Sequence, residues 1–372
     1  MKFVLAPDSF KESMTSYEAA LAMQKAVLSH HHEAILCPLS DGGEGTLETL
    51  VRALNGHIEY VEVKGPLFDV RTAPIGIVKD LAIIECAATC GLELLEESQK
   101  NPYYTTTYGL GELITYALDH HIRQIMICLG GSSTNDGGIG MLSALGVRFY
   151  NVHHQEVALT MKGLIELDHI DFSHLDRRLM DTQIIGVCDV DNPLCGENGA
   201  TYIYGPQKGV LDCEKAMIDG YMKAYGKKVD YYYQKDYQHA KGAGAAGGLG
   251  YALLAFCQAT LKSGFDIVAE VMKLEEKIKN CDIVFVGEGK IDQQTQFGKT
   301  PYGVLKIAQK YHKPVYAFAG KVEDEDILRM LGFSDVYAIT PSSLPLSIAL
   351  KKGQKNLEKT VNEHLGEICH EI

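Results

Sequence analysis

The sequence predicts an α/β fold with mostly parallel sheets. Short β-branched runs alternate with longer amphipathic stretches along the 372 residues, as they do where crossover helices join parallel strands. Hydrophobic residues make up 46% of the chain and charged residues 22%, a balance that is typical of folded globular proteins and excludes a disordered chain. At roughly 100–200 residues per domain, the length indicates two domains.

The first third of the chain begins this alternation. The apolar run 2–6 predicts a strand, and a helix is expected from Thr15, because Thr15 and Glu18 have the spacing of a capping box. Further strands are predicted over 34–39, 58–63 and 81–87, and a second helix over 46–54.

The remaining two thirds continue the same rhythm. We expect a helix over 106–119, a strand over 124–130, a glycine-rich turn leading into a short helix, and a strand over 183–190. Strands over 282–289, 314–320 and 335–340 follow, separated and closed by helices. No Pro/Ser-rich linker divides the chain, which favours one domain inserted into another over two domains joined by a single hinge.

Charge and apolar patterning exclude several classes of protein. The chain carries 35 Lys and Arg against 48 Asp and Glu, a net charge of −13. Nucleic-acid binding is disfavoured, because neutralising phosphates needs a clustered basic surface. No apolar run approaches the ~20 residues of a membrane-spanning helix, and the first apolar run is too short for a secretory signal. We therefore expect a cytoplasmic protein without a membrane or nucleic-acid partner.

The cysteines and histidines give no strong metal signal. Ten cysteines include no C-x-x-C pair, so we expect reduced thiols and neither a disulfide framework nor structural zinc. The histidine run 30–32 is interpreted as a solvated helix end, because it has no carboxylate partner at metal-ligand spacing. The tyrosine-rich stretch 231–237 is expected in a surface loop or at a helix edge.

Polar and glycine residues follow the predicted strands at their carboxyl ends, where open α/β sheets bind ligands. These segments are 8–11, 40–46, 130–138, 189–193 and 287–292.

Three of the glycine-rich segments suit an anion. Glycines before a helix start let main-chain N–H groups converge on a phosphate, and 42–45, 130–140 and 242–248 have this composition. Each could instead be a tight turn with close helix packing, but three such segments beside carboxylates or lysines favour phosphate binding. The carboxylates fit Mg²⁺, which takes one or two of them with phosphate oxygens. For Asp41 and Asp136 an N-cap or turn role stays open.

Two further motifs are weaker, and the remaining chemistry favours a kinase. The 242–247 glycines match the dinucleotide fingerprint, but no apolar strand precedes them, which disfavours NAD. Residues 297–300 resemble the end of a P-loop, but Gln293 stands in place of its first glycine, so Lys299 either reaches a phosphate or begins a helix. A serine hydrolase is disfavoured without a G-x-S-x-G elbow. Lysines, carboxylates and main-chain donors are the set that phosphoryl transfer needs.

Nine collinear blocks resemble the bacterial class I glycerate kinases over nearly the full length. They are APDSFKES (6–13), DGGEGT (41–46), GPL (65–67), LGGSSTNDGG (129–138), CDVDNPL (188–194), GPQKG (205–209), GAGAAGGLG (242–250), GEGKID (287–292) and GKTPYGV (298–304). The departures are Lys290, where Arg is common, and Lys241, where Pro is common; both keep or add positive charge.

The resemblance implies ATP- and Mg²⁺-dependent phosphorylation of D-glycerate at the 2-hydroxyl, giving 2-phosphoglycerate and ADP. It also implies a Rossmann-like three-layer α/β/α domain made from both chain ends, 1–66 and 286–372. A second α/β domain, 67–285, is inserted between them, with the active site in the interdomain cleft. The oligomeric state is expected to be a monomer or a homodimer.

Roles for individual residues follow from the resemblance and from their places at strand ends. Asp189 is expected to be the base for the 2-hydroxyl, and Lys11 and Lys208 to hold the substrate carboxylate or the moving phosphoryl group. The residues expected to hold Mg²⁺, directly or through water, are Asp41, Glu44 and Asp136. Those expected to bind ATP or its phosphates are Gly43, Gly130, Gly131, Ser132, Asn135, Gly242, Gly244 and Lys299. Those expected to bind glycerate are Asp8, Ser9, Glu288 and Asp292.

Three alternatives stay open at this stage. The first is a kinase that acts on a related small hydroxy acid or forms 3-phosphoglycerate. The second is a non-catalytic two-domain protein that closes on an acid ligand, which would not need Lys11, Asp189 and three anion loops together. The third is an NAD-dependent dehydrogenase.

Overall fold

The structure is a computed structural model that describes residues 1–10, 12–43, 45–297, 299–341 and 345–370. Its chain contacts divide it into two compact units. The first unit contains 1–41, 48–55 and 265–372, and the second contains 42–47 and 56–264. Within the described ranges, no helix is both long and apolar enough to cross a membrane.

The strands and helices follow the predicted alternation. The strands are β1 (Lys2–Pro7), β2 (Glu33–Leu36), β3 (His57–Lys64), β4 (Val70–Val78), β5 (Leu81–Glu85), β6 (Gln124–Cys128), β7 (Arg148–Tyr150), β8 (His169–Asp171), β9 (Gln183–Val187), β10 (Thr260–Lys262), β11 (Ile283–Ile291), β12 (Val315–Val322) and β13 (Asp335–Ala338). The helices are α1 (Ser16–Ser29), α2 (Thr46–Ala53), α3 (Ala87–Cys90), α4 (Tyr108–Asp119), α5 (Ile139–Ala144), α6 (Met161–Glu166), α7 (Ala200–Tyr204), α8 (Lys215–Tyr233), α9 (Leu249–Phe256), α10 (Gly264–Val271), α11 (Leu274–Lys279), α12 (Thr300–Lys310), α13 (Glu325–Leu331), α14 (Leu346–Lys351) and α15 (Gly353–His370).

The first unit is built on a five-stranded sheet in the order β13-β12-β11-β1-β2, with every pair parallel. Alternate strand residues such as Phe3, Leu5 and Phe285 join the core with α1 and α15. Helix α12 packs against β1, β11 and β12, and its buried residues lie outside that core cluster. Because strand side chains alternate between the two faces, helices cover both faces of this sheet.

The second unit contains a six-stranded sheet in the order β10-β9-β6-β5-β4-β3. The first four strands run parallel, whereas β4 pairs antiparallel with both β5 and β3. Strand β4 was not predicted, because its Pro74 and Gly76 interrupt the apolar pattern from which strands were assigned. The same pairing places 57–64 in the second unit, although they fall within the predicted terminal domain 1–66. Residues 265–285, predicted in the inserted domain, fall in the first unit. The predicted domain boundaries otherwise stay a prediction.

Local sequence signals predicted some of the helices and missed others. The capping box of α1 is confirmed: the Glu18 N–H donates to Thr15 Oγ1 at 3.2 Å, and the Thr15 N–H donates to Glu18 Oε2 at 2.9 Å. His30 ends that helix as an exposed residue, as expected for the histidine run. The predictions did not include the nineteen-residue helix α8; its last turn carries Tyr231, which is exposed at the predicted helix edge.

Candidate active site

Four parallel strands of the second unit end at the same edge of its sheet. Because β5, β6, β9 and β10 are parallel, the residues that follow their carboxyl ends lie beside one another. Those residues include Gly130 after β6, Asp189 after β9 and Gly264 after β10. The predicted gathering of polar and glycine residues at strand ends therefore holds within this unit.

The 42–47 segment crosses this edge. Gly42 has a φ of +83°, and a Cβ added to it would lie 2.3 Å from Val187 Cγ1 and 2.9 Å from the Gly264 Cα. Glycine is required here both by the backbone conformation and by the close approach of β9. At the other end of the segment, the Leu47 N–H donates to Glu85 Oε1 at 2.9 Å, so the segment is held at both ends.

The middle of the same segment meets the loop that follows β6. A Cβ added to Gly130 would have the Gly43 Cα, at 3.9 Å, as its nearest neighbour, and one added to Gly45 would meet no described atom within 4 Å. Gly130 and Gly131 are exposed, whereas 132–140 are buried. The main chain at Gly45, Gly130 and Gly131 is thus exposed, as the phosphate-binding prediction for Gly130 and Gly131 requires. Gly43 is half-buried, and its carbonyl accepts from the Thr46 hydroxyl at 2.6 Å.

The buried part of the 130–138 loop is held by side chains from elsewhere in the unit. Ser133 donates to the Cys90 carbonyl through its N–H at 2.8 Å and through its hydroxyl at 2.9 Å. Lys208, only 2% exposed, donates from Nζ to Ser132 Oγ at 2.9 Å and to the Thr134 carbonyl at 2.7 Å. Burial lowers the pKa of Lys208 to about 8.

Asp136 is fully buried, and both of its carboxylate oxygens accept hydrogen bonds. Oδ2 accepts from the N–H of Thr107 at 3.0 Å, its hydroxyl at 2.8 Å and the Gly140 N–H at 3.4 Å. Oδ1 accepts from the Gly138 N–H at 2.9 Å. Burial raises the pKa of Asp136. Asp136 therefore has the turn role that is one of its two predicted roles, since its carboxylate accepts from main-chain N–H groups two and four residues further on.

Two buried polar atoms in this loop have no hydrogen-bond partner among the described residues, Thr134 Oγ1 and Asn135 Oδ1. The other side-chain atom of Asn135, Nδ2, donates to Thr201 Oγ1 at 3.0 Å. The side chains of Asn135 and Ser132 are both buried. The ATP-binding role expected for these two residues stays a prediction.

Asp189 is exposed at the carboxyl end of β9, and its Oδ1 accepts from the Gly264 N–H at 2.8 Å. That hydrogen bond joins the ends of β9 and β10 and orients the carboxylate. Asp189 is therefore exposed at the same edge as the main chain of Gly45, Gly130 and Gly131.

The glycine run 242–248 is closely packed against its surroundings. A Cβ at Gly244 would lie 2.3 Å from the Pro193 carbonyl oxygen, and one at Gly247 would lie 2.0 Å from that of Thr134. The Gly137 N–H donates to the Gly247 carbonyl at 3.0 Å. Close packing, the alternative that was left open, accounts for these glycines; phosphate binding by Gly242 and Gly244 stays a prediction.

The first unit has its own polar cluster at the carboxyl edge of its sheet. Asp8 follows β1, its Oδ2 accepts from the Thr300 hydroxyl at 2.5 Å, and its Oδ1 accepts from the Ser9 N–H at 2.6 Å. Glu288, in β11, pairs with Lys299 at 3.0 Å. Burial raises the pKa of Glu288 to about 7, against the opposing effect of Lys299.

Lys299 begins helix α12 as its N-cap and also donates to the Lys290 carbonyl at 3.0 Å. Asp292 is buried and pairs with Lys290 at 3.0 Å. Of the two roles predicted for Lys299, reaching a phosphate or beginning a helix, the second is present in the structure. Phosphate binding by Lys299 and substrate binding by Asp8, Ser9, Glu288 and Asp292 stay predictions.

Two predicted site residues, Lys11 and Glu44, lie outside the described residues. Asp41, beside the 42–47 segment, is exposed. Among the residues that the structure describes, no group of three or more His, Cys, Asp or Glu could hold a metal ion.

Comparison with known proteins decides the family. The model of the glycerate kinase family matches residues 3–368. The chain belongs to the glycerate kinase family. Among curated relatives of this family member, the glycerate 2-kinase of Escherichia coli (strain K12) is 41% identical over 362 residues, 96% of this chain and 95% of that protein. The glycerate kinase of Bacillus subtilis (strain 168) is 41% identical over 368 residues, 98% of this chain and 96% of that protein.

A solved structure agrees with the family assignment. The crystal structure of a Salmonella typhimurium LT2 protein provisionally named glycerate kinase 2 matches this family member with a TM-score of 0.91 at 40% identity. The match covers 100% of this chain and 98% of that chain. The α/β fold predicted from the sequence is confirmed.

Two residues that position the site of this glycerate kinase family member were missed. Glu85 holds the 42–47 segment, although its place at the carboxyl end of an apolar strand is the signal that identified Asp189. Thr107 holds Asp136. No local pattern marks Thr107, because its partner is 29 residues away.

Proposed function

We propose that this glycerate kinase family member transfers the γ-phosphoryl group of ATP to the 2-hydroxyl of D-glycerate, giving 2-phosphoglycerate and ADP. The observation that carries the proposal is the meeting of the 42–47 segment, the 130–138 loop and Asp189 at one sheet edge, in a chain that matches the family model across residues 3–368. Open main chain beside an exposed carboxylate is the arrangement that phosphoryl transfer to an alcohol needs.

The phosphate groups are proposed to lie on the open main chain of this edge. Gly130 and Gly131 expose the backbone there, with the half-buried Gly43 beside them, and main-chain N–H groups bind phosphate oxygens without adding net charge. Lys11 is proposed to hold the moving phosphoryl group. Asp8, Ser9, Glu288 and Asp292 are proposed to bind glycerate.

Asp189 is proposed to act as the general base. Its carboxylate accepts the proton of the 2-hydroxyl as that oxygen bonds to the γ-phosphorus, and the bond from the γ-phosphorus to the bridging β–γ oxygen breaks. The Gly264 N–H donates to Oδ1 and orients the carboxylate for this proton transfer.

Magnesium is proposed from the kinase chemistry, and the described residues fit it unequally. Asp136 does not fit, because its buried oxygens already accept from four donors. Asp41 fits, because it is an exposed carboxylate next to the open glycine segment. When bound with ATP, Mg²⁺ neutralises charge on the phosphate oxygens.

The test is an assay that separates the two possible products. The protein is incubated with ATP and D-glycerate, and enolase alone is added. We expect phosphoenolpyruvate to form without phosphoglycerate mutase, since enolase dehydrates only the 2-phosphate. Formation only after mutase is added would identify 3-phosphoglycerate as the product.

A panel of small hydroxy acids in the same assay, read as ADP release, tests the substrate. We expect D-glycerate to lead, and a lead by another acid would replace glycerate. ADP release that depends on glycerate would exclude a non-catalytic binding protein. The cytoplasmic location is proposed on the composition of the chain, and the monomeric or homodimeric state stays a proposal.

A further inference from the structure

We propose that Lys208 and Asp136 are positioning residues that hold the 130–138 loop from inside the protein, so that its exposed start stays ready to bind phosphate. This inference rests on the proposed function of that loop. It assigns to Lys208 a role other than contact with glycerate or phosphate, and to Asp136 a role other than binding Mg²⁺.

The contacts of Lys208 carry the first step. Its ammonium group is buried and bonds to two points of the loop, the Ser132 hydroxyl and the Thr134 carbonyl. No described carboxylate forms an ion pair with it. Both of these hydrogen bonds from the ammonium group are therefore donated to the loop itself.

The backbone around Lys208 fixes where the side chain starts. Lys208 ends a 3-10 turn over Pro206–Lys208, and its N–H donates to the Gly205 carbonyl at 2.9 Å. Gly209, which follows, approaches Lys100 so closely that an added Cβ would lie 2.1 Å from its carbonyl oxygen. The side chain therefore reaches the loop from a fixed base.

Asp136 supplies the second anchor at the far end of the loop. Its four hydrogen bonds join the loop to Thr107, just before α4, and to the first residues around α5. The hydroxyl of Thr107 in turn accepts from the Met141 N–H at 2.9 Å. A buried carboxylate with this set of donors has no oxygen turned toward solvent to bind a metal.

The loop that these two residues hold has an exposed start and a buried remainder. Gly130 and Gly131 are exposed, and 132–140 are buried. Because the buried part is fixed, the exposed N–H groups are already oriented before ATP arrives, which lowers the entropy cost of binding it.

The experiment compares four proteins without ligand and then with ATP. They are the wild type, Lys208→Met, Ser132→Ala and, as a control, Lys228→Met, which changes a partly exposed lysine of α8. Hydrogen–deuterium exchange measures the amides of 130–138, and calorimetry measures the ATP dissociation constant.

We expect exchange in 130–138 to rise about tenfold or more in Lys208→Met and less in Ser132→Ala, with Lys228→Met unchanged. The ATP dissociation constant should rise in the same order, by about tenfold for Lys208→Met, which corresponds to about 1.4 kcal/mol. A purely structural role would loosen the loop without this loss of ATP affinity, and would overturn the proposal.

Direct contact of Lys208 with the ligand would also overturn the proposal. In that case ligand-free Lys208→Met would show the same exchange as the wild type but would have lost ATP binding or turnover. If Lys208→Met does not fold, Ser132→Ala decides, since it removes one acceptor and no charge: unchanged exchange and ATP affinity would overturn the proposal.

For Asp136, Asp136→Asn should raise loop exchange and leave the dependence of turnover on Mg²⁺ concentration unchanged; a shifted Mg²⁺ dependence would make it a ligand. If the wild type binds ATP but does not phosphorylate glycerate, the proposed function fails, while the exchange and ATP affinities still decide this inference.

Discussion

The ammonium nitrogen of Lys208 lies 2.7 Å from the main-chain oxygen of Thr134, 74 residues away along the chain. This bond joins a short 3-10 turn to the loop that follows β6. Lys208 and Thr134 belong to two different blocks of the sequence that resemble the family. In the folded protein this bond joins the two blocks. Variants at these positions should therefore affect each other.

Changing Asp189 to Asn tests the base assignment. Asn keeps an oxygen that can accept from the Gly264 N–H but cannot take up the proton, so we expect kcat to fall by about 10²–10⁴-fold with little change in ATP affinity. A coupled ADP-release assay measures kcat, and calorimetry measures the ATP dissociation constant.

The matched control for Asp189→Asn is Asp191→Asn. Asp191 is an exposed carboxylate two residues further on, paired with Lys241 at 2.8 Å, and its substitution should leave kcat near the wild-type value. A near-normal kcat for Asp189→Asn, or an equal loss in both variants, would remove Asp189 as the base.

The substitution Gly42→Ala tests the packing of the 42–47 segment. Ala at a positive φ costs about 1–2 kcal/mol, and the 2.3 Å approach to Val187 adds about 1–3 kcal/mol of overpacking. We expect a lower free energy of unfolding, measured by urea denaturation, and a raised KM for ATP.

Gly45→Ala is the comparison for Gly42→Ala, because Gly45 has nearly the same φ, +84°, and no described atom within 4 Å of an added Cβ. It should show the conformational cost alone. Equal destabilisation by the two substitutions would mean that β9 yields to the added methyl group.

The buried Glu288 predicts a pH dependence of stability. Its pKa is raised from 4.5 to about 7, so between those values the folded protein holds the proton more tightly than the unfolded chain. Its contribution to stability is therefore complete below about pH 4.5 and is lost as the pH rises through 7. The loss amounts to about 3 kcal/mol, which Glu288→Gln should abolish.

Thermal unfolding midpoints from pH 5 to pH 8 measure this effect, with Glu363→Gln on α15 as an exposed control. Two charged groups act on Glu288: Lys299 lowers its pKa and Asp8 raises it. Lys299→Met should therefore shift the decline to higher pH. The same pH profile in Glu288→Gln as in the wild type would assign the decline to other groups.

Glycines inside exposed helices predict stabilising substitutions. Gly220 in α8 and Gly366 in α15 are exposed, and an added Cβ would meet no described atom within 4 Å at either position. Ala at each should raise the free energy of unfolding by about 0.5–1 kcal/mol, measured by urea denaturation, with kcat unchanged. Destabilisation would indicate a contact outside the described residues.

Sequence signals succeeded where a property depends on neighbouring residues. The capping box of α1 and the polar ends of β6 and β9 were identified in this way. Strand β4 was missed, since its Pro74 and Gly76 are tolerated only because of where β3 and β5 lie beside it. Glu85 was missed although it ends an apolar strand; what it holds, the Leu47 N–H, is 38 residues away, and no local pattern shows that contact.

The sequence by itself determined the α/β fold, the family and the set of glycines and carboxylates from which the site is made, because periodicity and collinear motifs are properties of the chain. Only the tertiary structure decided which of those residues face outward and which face inward. Lys208 and Asp136 have ionisable side chains, yet they are buried within the second unit and bonded to one loop, while Gly130 and Asp189 are exposed. A charged residue's exposure depends on which segments pack around it, and residues distant in the chain provide that packing.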